Sequence, residues 1–441
     1  MSDQALPNEA FEAPSDLEAF SQEFSDKSPE ELAEIRPLPR ISMHAFCESP
    51  ELLATIEAVA SDRRMARVHV KAVSGGIRAA TEFFGEAPTP NLIMLEADKP
   101  YEELVEELER LAEVCDMGTK VVLVGHINDV QMYRDLVRRG VSEYIVMPVG
   151  QIELIQALSD LFSNPDNEPL GKTIAFIGAK GGVGSSTMAH NIGWAISTVH
   201  QQDVIISDFD VAFGTAGLDF NEDPPQTIAD AIKAAERLDD QFLERLLTKC
   251  SERLSLLTAP AILDNTCDYE HEFFSPMLEL LQNSAPYTIL DLPHVWSAWN
   301  KYLLLGADEI VITVAPDLAN LRNVKNLLDL IGQERRGDRE PFLIINQTGI
   351  QKRPEIKAKD FVAALERTDF VEIPFDPATF GLAANNGQMI SELSSSSKLA
   401  DIFDKLASDL TGRTEAPKAS KSLLAPLLGK LKKPKKSKKS K

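Results

Sequence analysis

Cysteine is scarce in this sequence and lacks the spacing of a disulfide or metal site. The four cysteines are Cys47, Cys115, Cys250 and Cys267, and none belongs to a CxxC pair. Dispersed cysteines of this kind predict neither a disulfide framework nor a zinc site. A reducing compartment fits best, so we expect a cytoplasmic protein.

Long apolar runs are also missing. No stretch of about 18 consecutive apolar residues occurs, which is the length that a membrane-spanning helix needs. The N-terminus is acidic and has no apolar core of the signal-peptide type. We therefore expect a soluble chain that is still free to associate with a membrane surface.

Positive charge is deficient over most of the chain. The formal net charge of -23 argues against a protein that binds nucleic acid over its whole surface. Residues 412–441 are the exception, since their ten Lys and one Arg against one Glu give +10 and leave -33 for the remainder. Residues 1–38 hold ten acidic residues against Lys27 and Arg36, which predicts a disordered acidic arm.

The middle of the chain contains two successive α/β patterns. Between residues 39 and 163, short apolar runs alternate with amphipathic segments, as in a small doubly wound domain of five strand–helix units. A polar linker at 164–171 precedes a second series over 172–410, whose strands are rich in Ile, Val and Leu, as parallel strands buried on both faces are. The predicted fold class is α/β, with two doubly wound domains, the acidic arm and a basic tail at 411–441.

The stretch KGGVGSST, residues 180–187, follows an apolar strand and precedes a helical pattern. Gly181, Gly182 and Gly184 allow backbone N–H groups to face one concavity, and the helix adds its positive N-terminal end. This context predicts a phosphate-binding loop. Taken alone, a Gly-rich turn suits a tight strand-to-helix connection without a ligand equally well.

Carboxylates follow two other strands of the second series. Asp208 and Asp210 end the stretch VIISDFD, and Asp291 ends YTILD. The carboxyl ends of adjacent parallel strands converge on one crevice, where carboxylates hold Mg²⁺ through water and orient an attacking water. A single Asp there suits a helix cap or a solvated turn, but several beside a Gly-rich loop favour a nucleotide site.

The motifs KGGVG-x-[ST]-T, DFD, LDLP, INQ and IPFDP, in this order, resemble the deviant Walker A ATPases of the MinD and ParA type. The resemblance covers roughly residues 172–410. It implies ATP and Mg²⁺ as cofactors and an ATP-sandwich dimer in which Lys180 reaches across to the partner's phosphates.

The same resemblance implies roles for individual residues. The catalytic pair is Lys180 and Asp210, with Asp210 handling the hydrolytic water. The metal residues are Ser186, Asp210 and the Walker B carboxylate Asp291. The nucleotide-binding residues, of which the last four lie near the adenine, are Lys180, Gly181, Gly182, Val183, Gly184, Ser185, Ser186, Thr187, Asn346, Pro374, Phe375 and Asp376.

Ser185 departs from this family, because it stands where a second lysine neutralises the β- and γ-phosphates. Binding can survive on backbone N–H groups, Mg²⁺ and the helix end, whose dipole contributes about 0.3–1 kcal/mol. Hydrolysis depends more on cations, which contribute factors of about 10³ to 10⁵ in the case of arginine fingers. We therefore expect an ATP-binding protein with weak or absent hydrolysis.

The first α/β series resembles a response-regulator receiver whose phosphorylation residues are replaced. The positions that match the acidic pair, the phosphoacceptor, the hydroxyl residue and the lysine before proline are Cys47 with Glu48, Glu96, Gly125, and Met147 before Pro148. Without the lysine, no cation at that position stabilises an acyl phosphate. Met147 also suits simple packing at a strand end. Because nearly all phosphorylation residues are replaced, we expect a fixed docking surface instead of a switch controlled by phosphorylation.

A degenerate receiver fused to a MinD-like ATPase without the second loop lysine resembles the CpaE/TadZ family, which localises and helps assemble Tad-type (Flp) pili at a bacterial cell pole. This implies an ATP-dependent homodimer, recruited to the pole at the inner membrane face, that contacts the pilus assembly machinery and no specific DNA. Two alternatives stay open: a ParA-class partitioning ATPase with active hydrolysis, and a signalling protein whose receiver controls the ATPase. The acidic body argues against DNA cargo.

The basic tail combines an apolar face with a lysine cluster. Leucines at helical spacing precede the lysines, and they are Leu423, Leu424, Leu427, Leu428 and Leu431. Such a segment can lie on an anionic membrane, where each Lys contributes about 1 kcal/mol. A disordered tail that increases solubility or contacts DNA non-specifically explains the same composition. Pro426 also weakens a helix there.

Overall fold

The fold is taken from a computed structural model, which describes residues 35–162, 170–234, 237–261, 269, 273–335 and 338–412. Most of the predicted acidic arm, most of the linker and the basic tail lie outside the described residues, so their predictions stay predictions.

The first domain is built on a five-stranded parallel sheet with the strand order β2-β1-β3-β4-β5. Its strands are β1 (Ile41–Cys47), β2 (Val68–Ser74), β3 (Leu92–Ala97), β4 (Lys120–Gly125) and β5 (Glu143–Val146). Its helices are α1 (Pro50–Ala60), α2 (Ile77–Phe84), α3 (Tyr101–Ala112), α4 (Val130–Arg138) and α5 (Gln151–Phe162), with a 3₁₀ turn at Arg63–Met65.

Apolar side chains on both faces of this sheet explain why helices cover it on two sides. Every residue of the central strand β3 is buried. Helices α1 and α5 pack on one face, and α2, α3 and α4 pack on the other. Ser49 and Asp129 cap the N-termini of α1 and α4 through their side-chain oxygens. The alternating pattern read from the sequence thus gives the receiver-like (βα)₅ domain.

The second domain is built on an eight-stranded sheet with the order β13-β12-β11-β6-β10-β7-β9-β8. Its strands are β6 (Lys172–Gly178), β7 (Val204–Asp208), β8 (Thr248–Lys249), β9 (Leu254–Leu257), β10 (Tyr287–Asp291), β11 (Glu309–Val314), β12 (Phe342–Thr348) and β13 (Val371–Pro374). The edge strand β8 pairs antiparallel to β9, and the other pairings in this sheet are parallel.

Helices cover both faces of the second sheet as well. They are α6 (Ser185–Thr198), α7 (Ala216–Asp219), α8 (Ile228–Lys233), α9 (Asp240–Leu246), α10 (Phe274–Ser284), α11 (Ala298–Gly306), α12 (Leu318–Glu334), α13 (Ala358–Ala363), α14 (Pro377–Asn386), α15 (Ile390–Leu393) and α16 (Lys398–Thr411). One buried cluster joins α8–α13 to the sheet, and another joins α6 and α14–α16 to the opposite face.

Both domains are therefore α/β and doubly wound, which confirms the predicted fold class. Because β6, β7, β10, β11 and β12 are parallel, their carboxyl ends meet at one edge of the sheet. The loops that follow these five strands build the site described below. In the part of the chain that the structure describes, no helix has the length and apolar content to cross a bilayer.

Candidate functional site

The loop between β6 and α6 has the backbone shape of a phosphate-binding loop. Gly182 and Gly184 have φ angles of +78° and +89°, in the left-handed region that favours glycine. Gly184 is also the N-cap residue of α6, so the first N–H groups of that helix face the concavity of the loop. Gly181 and Gly182 are exposed and leave this concavity open.

Strand β12 holds the loop from one side. The buried Asn346 donates its Nδ2 to the carbonyl oxygen of Val183 at 2.8 Å, and Gln347 donates its Nε2 to that of Gly182 at 3.0 Å. Asn346 thus fixes loop carbonyls, a contact that the sequence analysis did not assign to it. Because these carbonyls are engaged on the protein side, the N–H groups remain for a ligand.

The opposite side of the loop is held by the segments that follow β10 and β11. Asn323, on α12, donates its Nδ2 to the carbonyl oxygen of Ala179 at 2.8 Å. His294 Nδ1 lies 2.8 Å from the carbonyl oxygen of Gly178, and its N–H donates there. Together with β12, these contacts preorganise the loop without a bound nucleotide.

The residue in place of the second lysine points into the protein. The Ser185 hydroxyl is buried and has no hydrogen-bond partner among the described residues. Ser186 and Thr187 follow in the first turn of α6 and are half-buried. The Ser185 side chain therefore brings no positive charge to the phosphate loop.

Lys180 lies on the open side of the loop. Its side chain is exposed, and its Nζ is 3.7 Å from Oδ2 of Asp317, the N-cap residue of α12. Burial alone would raise the pKa of Asp317, but hydrogen bonds from Asn320 and the charge of Lys180 hold it below its usual range. Lys180 therefore forms an exposed ion pair with Asp317, which the phosphate groups of a ligand can replace.

Two carboxylates meet at the ends of β7 and β10. Asp208 and Asp291 are paired in register, and both are buried. The Asp208 carboxylate accepts the N–H groups of Asp210 and Ala216, each at 3.1 Å. Burial, followed by the charge of Asp291, raises the pKa of Asp208 to about 7. Asp208 thus orders the loop after β7 from beneath the site.

Asp210 and Asp291 are the other two carboxylates at this edge of the sheet. Asp210 is half-buried, and its Oδ1 accepts the N–H of Phe213 at 3.0 Å. Burial is the main cause that raises the pKa of Asp210. Oδ1 of Asp291 is buried and has no hydrogen-bond partner within the described residues. The structure brings together the acidic residues that the sequence placed at this edge.

His190 is a further residue of this site that the sequence analysis did not assign. It is completely buried on α6, with Nδ1 2.8 Å from Asp219 Oδ2 and Nε2 3.4 Å from Asp291 Oδ2. Burial alone would lower the pKa of His190, but the two carboxylates raise it to about 10. The imidazole is therefore charged at neutral pH. Its only signal in the sequence is a polar residue on an otherwise apolar helix face.

The segment assigned to the adenine has a more structural part than expected. Asp376 is the N-cap residue of α14, and its carboxylate accepts the N–H and the hydroxyl of Thr379 at 3.0 and 2.6 Å. Pro374 ends β13, and Phe375 is exposed beside it. Pro374 is exposed too, but Phe375 is the aromatic side chain of the three and the one that can stack on a base.

The phosphoacceptor position of the receiver-like domain is already satisfied. The buried Glu96 carboxylate accepts the N–H groups of Glu48 and Ser49, both at 2.7 Å. Burial, and then the charge of Glu96, raise the pKa of the Cys47 thiol to about 11. Met147 is buried in the core below, which supports its interpretation as packing. These residues form a closed, self-paired cluster.

The ATPase domain matches known proteins along much of its length. Residues 171–342 match a family described as an AAA domain. The septum site-determining protein MinD of Synechocystis is 25% identical over 208 residues, which are 46% of this chain and 74% of that protein. A solved MinD from Pyrococcus horikoshii, complexed with Mg-ADP, is 18% identical over 55% of this chain and 96% of that one, with a TM-score of 0.44.

A second relative concerns the remainder of the chain. The pilus assembly protein CpaE from Caulobacter crescentus is 46% identical to this chain, and the match covers 29% of this chain and 98% of the solved one, with a TM-score of 0.29. The chain belongs to the CpaE family. The matched share has the size of the receiver-like domain. This CpaE-family chain therefore combines a receiver-like domain with a ParA/MinD-like ATPase domain, as the sequence motifs predict.

Proposed function

We propose that this chain is an ATP-binding, dimeric scaffold that localises and helps assemble Tad (Flp-type) pili at the cell pole, with weak or absent ATP hydrolysis. The observation that carries the proposal is a preorganised phosphate loop that keeps Lys180 but has Ser185 in place of the second lysine. The solved relative that bears the name of a pilus assembly protein supports the biological setting.

The site fits a nucleotide with Mg²⁺. The unpaired Oδ1 of Asp291 and the hydroxyl of Ser186 supply the oxygen chemistry that Mg²⁺ prefers. When bound, Mg²⁺ neutralises charge on phosphate oxygens. The N–H groups of Gly182 and Gly184 and of the first turn of α6 then bind the phosphates, while Phe375 offers an apolar surface to the adenine. Asp210 is placed to orient a water.

An apolar rim around the loop supports dimerisation through this face. The side chains of Phe213, Trp296 and Leu318 are 73%, 55% and 73% exposed. They follow β7, β10 and β11, so they lie at the same edge of the sheet as Lys180. Exposed large apolar side chains that share one edge are typical of a protein–protein contact. A second copy of the chain covers this rim when Lys180 leaves Asp317 for the partner's phosphates.

Slow hydrolysis follows from the charge of the loop. Each protomer lacks a lysine of its own at position 185, so the developing negative charge of the transition state is stabilised mainly by Mg²⁺ and by the partner's loop. A bound ATP then persists, which suits a positional scaffold better than a partitioning motor.

The test compares three full-length proteins: wild type, Ser185→Lys and Ser185→Met. Titration with a fluorescent ATP analogue measures nucleotide affinity, and a phosphate-release assay with saturating ATP-Mg measures turnover. We expect wild type to bind ATP and release phosphate slowly. Ser185→Lys should raise turnover at least about 10-fold, because an added cation acts mainly on the transition state.

Ser185→Met controls for side-chain length, because it is as long as lysine for most of its stem but carries no charge. Equal turnover in Ser185→Met and Ser185→Lys would show that bulk, not charge, limits the reaction. Rapid hydrolysis by wild type would contradict the proposal and favour the ParA-class alternative. A wild-type protein that does not bind ATP would reject the nucleotide site altogether.

A further inference from the structure

The receiver-like domain touches the ATPase domain through a group of charged side chains. The 3₁₀ turn Arg63–Met65 supplies two arginines. Arg63 Nε lies 2.6 Å from Asp338 Oδ2, and Arg63 Nη1 lies 3.0 Å from Asp308 Oδ1. Arg64 pairs with Asp338 through Nη2 and with Asp62 at 3.0 Å through Nη1. We call Asp62, Arg63, Arg64, Asp308, Arg335 and Asp338 the interdomain ion cluster.

This cluster is buried and charge-balanced. The side chains of Arg63 and Arg64 are 8% and 0% exposed, and that of Asp338 is 4% exposed. Three arginines face three aspartates, because Arg335 joins Asp338 at 2.9 Å. Burial alone would raise the pKa of Asp338, but the surrounding arginines hold it below its usual range. Removal of one member would leave an uncompensated buried charge, which typically costs about 3–5 kcal/mol.

One helix links this cluster to the phosphate loop. Helix α12 spans 17 residues, or about 25 Å. Asp317 at its N-terminus holds Lys180, and Asn323 in its second turn holds the Ala179 carbonyl. Arg335, the C-cap residue of α12, belongs to the interdomain ion cluster. The receiver-like domain therefore reaches the C-terminal end of α12 through Asp338, which pairs with Arg335, and the phosphate loop contacts the N-terminal part of the same helix.

Strand β6 provides a second, shorter link. Asp308 Oδ2 accepts the N–H and the hydroxyl of Thr173, both at 2.8 Å. Thr173 lies at the start of β6, and the phosphate loop begins where β6 ends. The carboxylate that binds Arg63 with one oxygen thus fixes the strand under the loop with the other.

We propose that Arg63 and Arg64 of the receiver-like domain are positioning residues for the phosphate loop and act through α12 and β6. This inference rests on the proposed function, since it concerns the Lys180 of that function's dimer. Docking of the receiver-like domain fixes the position of α12. Asp317 and Asn323 of this helix in turn position Lys180 and the Ala179 carbonyl. A partner protein that binds the receiver-like domain and shifts its position then changes dimerisation without any phosphorylation of Glu96.

The test uses full-length wild type, Arg63→Ala, Arg63→Lys and Lys301→Ala. The last is a matched control, because Lys301 pairs with Glu334 at the same end of α12 at 2.7 Å but belongs to the ATPase domain alone. ATP-promoted dimerisation is measured by light scattering over a concentration series, and ATP affinity by fluorescence titration. Hydrogen exchange is followed over residues 179–184 and 318–334.

We expect Arg63→Ala to weaken ATP-promoted dimerisation about 10-fold, within the 5- to 150-fold range of typical couplings. ATP affinity should stay within about 3-fold, because the loop N–H groups bind the phosphates within one protomer. Arg63→Lys keeps the charge and should recover part of the loss. Lys301→Ala should match wild type, and exchange should rise at both segments in Arg63→Ala and to a smaller extent in Arg63→Lys.

Dimerisation of folded Arg63→Ala at the wild-type level would overturn the proposal, as would an equal loss in Lys301→Ala. If Arg63→Ala does not fold, Arg63→Lys decides the matter: unchanged dimerisation together with unchanged exchange at 179–184 contradicts coupling. If wild type itself shows no ATP-promoted dimer, the proposed function fails. The coupling is then judged by exchange at 179–184 alone, which should rise in Arg63→Ala and not in Lys301→Ala.

Discussion

At the scale of single residues, the site is defined by where its charges sit. The loop has Ser185 in its first helical turn, while a charged imidazole, His190, lies buried beneath it between Asp219 and Asp291. Asp208 stands beside Asp291 with a raised pKa. The cations of the site are therefore Lys180 on the open side of the loop and His190 on the carboxylate side.

Asp208 makes stability depend on pH near neutrality. Its folded-state pKa of about 7 lies above the ordinary value of 3.8, so its contribution to stability is complete below pH 3.8 and is lost as the pH rises through 7. Between pH 6 and 8 this loss is about 1 kcal/mol. Asp208→Asn removes the titration while keeping a side chain of the same size.

We therefore expect the unfolding temperature of Asp208→Asn, relative to that of wild type, to increase as the pH rises from 6 to 8. Thermal unfolding at pH 6, 7 and 8 in the presence of EDTA measures the difference. Asp329→Asn, on the exposed surface of α12, serves as the control substitution. The same difference between Asp208→Asn and wild type at all three pH values would show that Asp208 is not the titrating group.

The site residues that could be predicted from the sequence are those that belong to short local motifs. The Gly-rich loop and the carboxylates at strand ends carry their own patterns, and the structure assembles them at one edge. His190 carries no such pattern, because a histidine on a buried helix face looks like core packing. The cap role of Asp376 was readable, since an aspartate before Pro377 is a typical helix start. The contact of Asn346 with the loop could not be predicted, because it depends on which strand lies beside the loop in the sheet.

At the scale of elements, two loops and the first turn of α12 carry the apolar rim at the carboxyl edge. Phe213, Trp296 and Leu318 are exposed there, whereas the apolar side chains of the strands beneath them are buried. Loops at this edge bring functional residues close together because a rigid sheet positions them. The rim and the phosphate loop are thus parts of one surface.

Substitution of the rim tests whether it is a dimer contact. We expect Phe213→Ser with Trp296→Ser to weaken ATP-promoted dimerisation at least about 10-fold, since burial of each large aromatic side chain contributes about 1.5–3 kcal/mol. Phe83→Ser is the matched control, because Phe83 is an exposed aromatic residue on α2 of the receiver-like domain. Analytical ultracentrifugation with ATP-Mg measures the change. Equal dimerisation of the rim variant and wild type would place the contact elsewhere.

At the scale of the whole molecule, two domains of the same class are held together by a buried set of ions. Arg63 and Asp308 are 245 positions apart in the sequence, so no local sequence pattern predicts their ion pair. Through Asp308 and Asp338, the cluster gives the receiver-like domain a direct contact with the ATPase domain near the C-terminal end of α12. The membrane hypothesis for the basic tail concerns residues outside the described part and stays a prediction.

The central claim is that the site binds ATP and uses Lys180 to join two protomers. Light scattering of full-length wild type, Lys180→Ala and Asp210→Ala, each with and without ATP-Mg, tests it most directly. We predict that ATP converts wild type and Asp210→Ala to dimers, because hydrolysis is already slow, whereas Lys180→Ala remains monomeric. Dimers that form regardless of ATP and of Lys180 would contradict the account and leave the phosphate loop as a remnant.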